Sequence, residues 1–247
     1  MAVSGTSTFT LTRDEIISYA LRKLAVLELG ATPDSNTVSN AAMSLDMMIK
    51  SLVAKGSKLW TIEELTLPLV ASQTVYNIGP TGSVTPLALA TSKPLTLMQA
   101  WIRNTVNTPN TDIPLTILSL NDYNTLGSKG STGMPNSVEL QVLRDYSTLK
   151  TYVTPSTLEV GIYQIHLLVK RTIQDAGIST NNLDFPQEWL YALGWGLAAE
   201  LCSDYELPPN RIQYIEAKAA KAMQEMEDFD TEQTSVYFTP DQRMKTR

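Results

Sequence analysis

The sequence contains one cysteine, Cys202, and one histidine, His166. A single cysteine excludes an internal disulfide. A zinc site built on one histidine and one cysteine would need an unusual number of carboxylate ligands. The chain has no apolar run of about 18 residues, which argues against a transmembrane helix and against a membrane partner. Its first residues lack a basic segment followed by an apolar run, so we expect no secretory signal and synthesis in a cytoplasm.

Basic residues are outnumbered as well, with 19 Lys and Arg against 25 Asp and Glu and a formal charge of −6. General adhesion to nucleic-acid phosphates needs clustered Lys and Arg, so this balance argues against it. DNA could still pass close to such a chain without binding. The 247 residues are 43% hydrophobic, which is enough for a core in one large domain or two modest ones.

Few residues have the character of a catalytic group. His166 lies in an alternating pattern on the face opposite Ile165, Leu167 and Val169. A general base usually needs an orienting partner, and none is apparent in the sequence, so we expect His166 to be a surface strand residue. Cys202 is expected to be a buried structural thiol on an Ala-rich helix. We therefore predict no catalytic residue, no metal site and no cofactor.

Two helices are predicted over residues 12–56. The first starts at a capping box formed by Thr12 and Glu15, after which apolar residues repeat on one face. Gly30 is predicted to end this helix, and residues 32–35 are predicted to start the second one. The short connection favours an antiparallel helical hairpin.

Short alternating runs follow from residue 59 to about residue 171 and predict a small antiparallel sandwich or barrel. In the last run the apolar residues fall at even positions from Leu158 to Ile162 and at odd positions from Ile165 to Val169. A β-bulge near residues 163–164 would absorb the extra residue. A helical turn is predicted within the polar loop, at residues 122–126.

Helical patterns return at residues 186–205 and again from residue 208 to about residue 228. The predicted fold is therefore α+β, with a four-helix base formed by residues 1–58 and 183–228. An antiparallel β-sandwich or barrel, residues 59–182, would be inserted in this base. Residues 229–247 would form an extended C-terminal tail.

The helix after residue 186 carries a predicted packing stripe. Trp189, Leu193 and Leu197 recur on one face, and Gly196 lies beside them, where a neighbouring helix could approach closely. Because a glycine inside a helix costs about 1 kcal/mol relative to alanine, we expect it to serve close packing. Trp195 falls off the stripe, and we expect it to be buried against the β domain or against another subunit.

The C-terminal tail is predicted to need a partner. Ordering its backbone would cost about 1–2 kcal/mol per residue, whereas each buried apolar side chain returns about 1.5–3 kcal/mol. Three apolar side chains are too few to order the tail on this chain alone. We predict a binding segment made of apolar, turn and basic residues, namely Ser235, Val236, Tyr237, Phe238, Pro240, Arg243, Lys245 and Arg247.

Several segments together resemble the head-to-tail adaptor family of short-tailed phages, also called tail accessory factors or packaged-DNA stabilisation proteins. No single segment is specific, but their order and spacing match along nearly the whole chain. The matching segments are residues 12–29, 42–60, 66–69, 73–78, 113–115, 122–123, 133–135, 185–189 and 235–241.

The resemblance implies a virion protein in a twelvefold ring of identical copies beneath the portal protein. Helices and tail would dock on the portal, and the β domain would meet the nozzle or other tail proteins. Double-stranded DNA would pass through the lumen without sequence-specific binding, and packaged DNA would be retained. The candidate lumen acids are Glu225, Glu227, Asp228 and Asp230.

Two other classes stay open at the level of sequence. A cell-wall glycoside hydrolase would need two carboxylates at a fixed separation, and the β region has few acids. A carbohydrate- or receptor-binding β module of a phage tail would leave the four helices unexplained.

Overall fold

The computed structural model describes residue 5, residues 9–56 and residues 59–230. These residues contain five α-helices and nine β-strands in two sheets, which confirms the mixed α+β class. In chain order the elements are α1 (Arg13–Leu24), α2 (Ser35–Ala54), β1 (Ile62–Pro68), β2 (Val75–Gly79), β3 (Leu89–Ala90), β4 (Pro94–Asn104), β5 (Thr111–Pro114), β6 (Thr116–Ile117), α3 (Leu120–Thr125), β7 (Ser137–Val142), β8 (Ser147–Tyr152), β9 (Tyr163–Arg171), α4 (Leu190–Leu201) and α5 (Pro209–Phe229).

Local signals account for both ends of α1, although one predicted boundary is wrong. The predicted capping box is present, because Thr12 accepts from the Glu15 N–H and the Glu15 carboxylate accepts from the Thr12 N–H. The hydrogen bonds that the Glu15 carboxylate accepts from the backbone N–H and the hydroxyl of Thr12 lower the pKa of Glu15. The helix ends at Leu24, not near Gly30, because Ala25 adopts the left-handed conformation with φ of 57°. Its N–H then bonds to carbonyls of the last turn, which turns the chain so that Leu27 packs on the core.

The long helices contribute to one hydrophobic cluster. Buried side chains of α1, α2, α4 and α5 meet there, together with Ile173, Ala176 and Leu183 from the connection between β9 and α4. The start of α1 is tied to the same connection, since Arg13 donates its backbone N–H to the Asn181 carbonyl at 3.0 Å. Among the described residues, every helix is too short or too polar to cross a membrane.

The strands form a four-stranded sheet in the order β1-β9-β4-β5 and a five-stranded sheet in the order β3-β2-β8-β7-β6. Both sheets contribute to a second hydrophobic cluster, to which β9 supplies Ile165, Leu167 and Val169. Leu115 is the single residue between β5 and β6, so one continuous segment passes from an edge of one sheet to an edge of the other.

The prediction that residues 158–162 belong to a strand that continues into β9 through a bulge is wrong. Leu158 is 76% exposed, and residues 158–162 form a turn in which Ile162 and Tyr163 donate to the Glu159 carbonyl. The Glu159 carboxylate turns back to accept from the Ser156 N–H at 2.8 Å. The change of apolar phase therefore marks the end of a turn and not a bulge at residues 163–164. The register shifts of this sheet lie in β4 instead.

Candidate functional site

The predicted packing stripe of α4 lies inside the helical cluster. Leu193 and Leu197 are completely buried. Trp189, in a short 3₁₀ turn before α4, is 1% exposed, and its ring centroid lies 5.0 Å from Trp60 and 6.2 Å from Phe185. The three aromatic side chains join the β1 end of the β region to the start of α4, so Trp189 packs at the junction between the two parts of the chain.

Two glycines of α4 are in close contact with neighbouring side chains. A Cβ on Gly194 would lie 2.5 Å from a ring carbon of Tyr19 on α1. A Cβ on Gly196 would lie 2.6 Å from the Met223 terminal methyl on α5 and 3.0 Å from the Met48 sulfur on α2. Gly194 therefore faces a rigid ring, whereas Gly196 faces the ends of two flexible side chains.

Alanine substitutions of Gly194 and Gly196 should therefore differ in their effect on stability. Gly194→Ala should lower the free energy of unfolding by about 1–3 kcal/mol, because the Tyr19 ring must be displaced. Gly196→Ala should change it by less than about 1 kcal/mol, because the methionine ends can rotate and alanine favours the helix. Urea denaturation of both variants measures the difference. In a Tyr19→Ala background, Gly194→Ala should no longer destabilise, and a persisting loss would show that the ring is not the cause.

Trp195 lies in an aromatic and basic cluster on the outside of the helices. Its ring contacts Tyr191 at 6.3 Å and Tyr214 of α5 at 6.2 Å, and the Lys23 amine lies 5.5 Å from its centroid. The expectation that Trp195 packs against the β domain is wrong, because α1 and α5 of its own chain cover it. Its buried indole N–H has no acceptor in the described part of the chain. A contact of this cluster with another subunit stays a prediction.

The other predicted site residues lie at the end of α5 or beyond it. Glu225 is 3.7 Å from the Lys221 amine, and Glu227 lines a groove between α2 and α5. Asp228 is exposed, and Asp230 caps the helix. Their position relative to a lumen stays a prediction. The tail residues 235–247 lie outside the described residues.

Sequence reasoning missed the ionic contact that fastens the β region to the helices. Arg171, the last residue of β9, forms two hydrogen bonds with Asp184, at 2.5 and 3.0 Å, and lies 3.3 Å from Glu63 of β1. The Asp184 carboxylate also accepts from the backbone N–H of Gln174. The hydrogen bond to Asp184 raises the pKa of Arg171. Alternation patterns carry no signal for this contact, because they report which side chains are buried and not which charges pair, and Glu63 is far from Arg171 and Asp184 in the sequence.

The prediction that His166 is a surface residue is wrong, since it is 6% exposed. It lies on the outer face of the four-stranded sheet, stacked on Trp101 at 5.6 Å, with its Nδ1 2.6 Å from the Glu64 carboxylate. A carboxylate only accepts, so Nδ1 carries the proton in this contact. The Nε2 atom is buried without a partner among the described residues.

Most acids of the β region have a basic or hydroxyl-bearing side chain as a partner. Asp112 receives two hydrogen bonds of 2.7 Å from Arg103, which lower the pKa of the Asp112 carboxyl. Glu139 lies 3.2 Å from the Lys150 amine. Asp122 accepts from the Ser119 hydroxyl that caps α3. Outside the β region, burial raises the pKa of the Cys202 thiol. Within the described ranges no group of three or more His, Cys, Asp or Glu is arranged to hold a metal ion.

Comparison with protein families gives a match over nearly the whole chain. The family model described as SU10 adaptor protein matches residues 11–243, which include the helical cluster and both sheets. No curated protein matches the chain.

Proposed function

Because the chain belongs to the SU10 adaptor protein family, we propose that it forms a ring that docks on the portal and extends the DNA channel. The family is a structural phage adaptor family. The chain is accordingly a viral structural protein that acts in virion assembly and interacts with other head or tail proteins. The observation that carries the proposal is the length of the match, because it extends over both the helical and the β parts.

In this proposal the two parts of the chain have different partners. The four long helices form the base that faces the portal, and the inserted β-sandwich gives the platform for the nozzle or other tail proteins. The separation of the two hydrophobic clusters supports this division, because each part has a core of its own. We also propose that the domain boundaries lie between residues 58 and 59 and between residues 182 and 183.

The proposed twelvefold ring would surround the DNA without gripping it. Each copy adds a formal charge of −6, so the ring as a whole repels phosphates. The acids at Glu225, Glu227, Asp228 and Asp230 are proposed to line the lumen. The ring would then help to retain packaged DNA by its position below the portal and not by sequence-specific binding.

The tail is the proposed anchor on the portal, and its apolar centre can be tested. Val236, Tyr237 and Phe238 should supply most of the binding energy, because each side chain returns about 1.5–3 kcal/mol when it is buried. Replacing all three with serine should weaken binding to purified portal rings of the same phage at least about a hundredfold. Surface plasmon resonance on immobilised portal rings measures this loss.

A matched control variant changes only the charges of the tail. Replacing Arg243, Lys245 and Arg247 with alanine should cost less affinity, and the loss should shrink as salt is added. Circular dichroism should show an unchanged fold for both variants. Wild-type portal affinity of the serine variant would rule out the tail as the anchor. Equal proteolysis of residues 231–247 in the free and portal-bound chain would refute ordering of the tail on binding.

A further inference from the structure

Helix α5 separates two surfaces of opposite charge. On one side of α5, between it and α1, lies the cluster around Trp195. On the other side, between α5 and α2, lies a groove rimmed by carboxylates. Two adjacent residues of α4 lie on different surfaces, because Trp195 belongs to the first surface and Gly196 belongs to the second.

The first surface, here called the aromatic flank, is aromatic and basic. Tyr191 and Tyr214 are more than half exposed and lie on either side of Trp195. The Lys23 amine lies over the Trp195 ring, and the Lys218 amine lies 6.0 Å from the centre of Tyr214. Tyrosine and tryptophan are enriched among the residues that supply most of the binding energy at protein interfaces.

The second surface, here called the acidic groove, is hollow. It consists of two adjoining cavities of about 550 and 270 Å³, and both are lined by Glu200 of α4 and Glu216 of α5. Small residues such as Gly196 and Ala199 form the floor. Glu227 adds a third carboxylate, and Lys55 is the basic residue among the groove's lining side chains.

We propose that the aromatic flank of one copy docks in the acidic groove of a second copy. Lys23 and Lys218 of one copy would pair with Glu200 and Glu216 of the next, and the projecting tyrosine rings would enter the hollow between them. This inference rests on the proposed ring and identifies the surfaces by which neighbouring copies meet.

Two features select a second copy of this chain as the occupant. The charges are complementary, since the amines of Lys23 and Lys218 lie on one side of α5 and carboxylates rim the groove on its other side. The two surfaces also differ from each other, so each copy uses one surface towards each neighbour. Such a heterologous contact is the kind that closes into rings, whereas a contact between identical patches stops at a dimer.

Charge exchange tests the pairing directly. One variant carries Lys23→Glu and Lys218→Glu, and the other carries Glu200→Lys and Glu216→Lys. Each variant alone should self-associate at least about tenfold more weakly than the wild type, because like charges then meet in every contact. An equimolar mixture should regain association, since every contact between the two variants is again between opposite charges. Sedimentation velocity of the full-length chains at low salt measures both effects.

Arg144→Glu is the matched control, because it removes a positive charge at an exposed turn between β7 and β8 and should leave association unchanged. Failure of the mixture to associate, or wild-type association of either variant alone, would overturn the pairing. So would a wild-type chain that does not self-associate either free or on portal rings. Portal binding is measured separately on immobilised portal rings, so its failure would contradict the proposed function and not the pairing between copies.

Discussion

Replacing Trp189 with alanine is expected to lower the free energy of unfolding of the helical part by about 3–5 kcal/mol. This is the range for removing a large aromatic side chain from a packed core. Trp189 is almost completely buried, and its ring packs against Trp60 and Phe185. The cavity would open where Trp189 meets Trp60, just before β1.

Urea denaturation followed by far-ultraviolet circular dichroism measures the Trp189 effect on the helices. Tyr191→Ala is the matched control, because it removes an aromatic side chain two residues away that is more than half exposed, and it should change stability by less than about 1 kcal/mol. Equal stabilities of the two variants would contradict a core role for Trp189.

Replacing Arg171 with methionine should be the second most damaging change, with a loss of about 2–3 kcal/mol. The substitution keeps much of the side-chain volume but leaves Asp184 and Glu63 without their cation. A fully buried pair would cost about 3–5 kcal/mol to break in this way. Arg171 and Asp184 are 14% and 21% exposed, so solvent reduces the expected loss.

The same change in an exposed pair provides the control for Arg171. Arg103→Met also removes two hydrogen bonds to a carboxylate, each of 2.7 Å to Asp112, but that pair lies at the open edge of the sheet. It should retain nearly wild-type stability. Arg171→Met should also speed proteolysis of residues 172–182, which connect β9 to α4, because Asp184 no longer holds the end of β9. Equal stability and equal cleavage of both variants would show that the Arg171 contact does not hold the junction.

The helices were the most predictable part of the fold, because their signals are local. The capping box of α1 and the N-cap of α2 at Asp34 lie within a few residues of the helices that they start. The wrong end of α1 has a physical reason as well. Ala25 takes a left-handed conformation that glycine usually adopts, and the packing of Leu27 on the core accompanies it.

Strand β8 shows why the sheets were harder to predict. It lies inside the five-stranded sheet, yet its buried residues include Ser147, Thr148 and Thr151 beside Leu149. Their hydroxyls bond to partners far away in the sequence, such as the Pro94 carbonyl at 2.7 Å from the Ser147 hydroxyl. A polar residue with such a partner can be buried at low cost, so the apolar alternation that marks a strand is absent.

The candidate surfaces were predictable only in part. The burial of Trp189, Leu193 and Leu197 follows from their helical spacing. The burial of His166 does not, because Trp101 covers it from another strand and Glu64 reaches it from a third. The aromatic flank and the acidic groove likewise depend on how α1, α2 and α5 are placed around α4. Neither surface has a continuous signal in the sequence.

The two ends of the β region leave the helical part side by side, since Ile62 is the strand partner of Lys170. A segment whose ends are adjacent can be inserted, lengthened or exchanged without changing the path of the chain that carries it. The β region therefore has the layout of an inserted domain. Under the proposed division of partners, the β region can change with the tail proteins that it meets while the helical part keeps its contact with the portal.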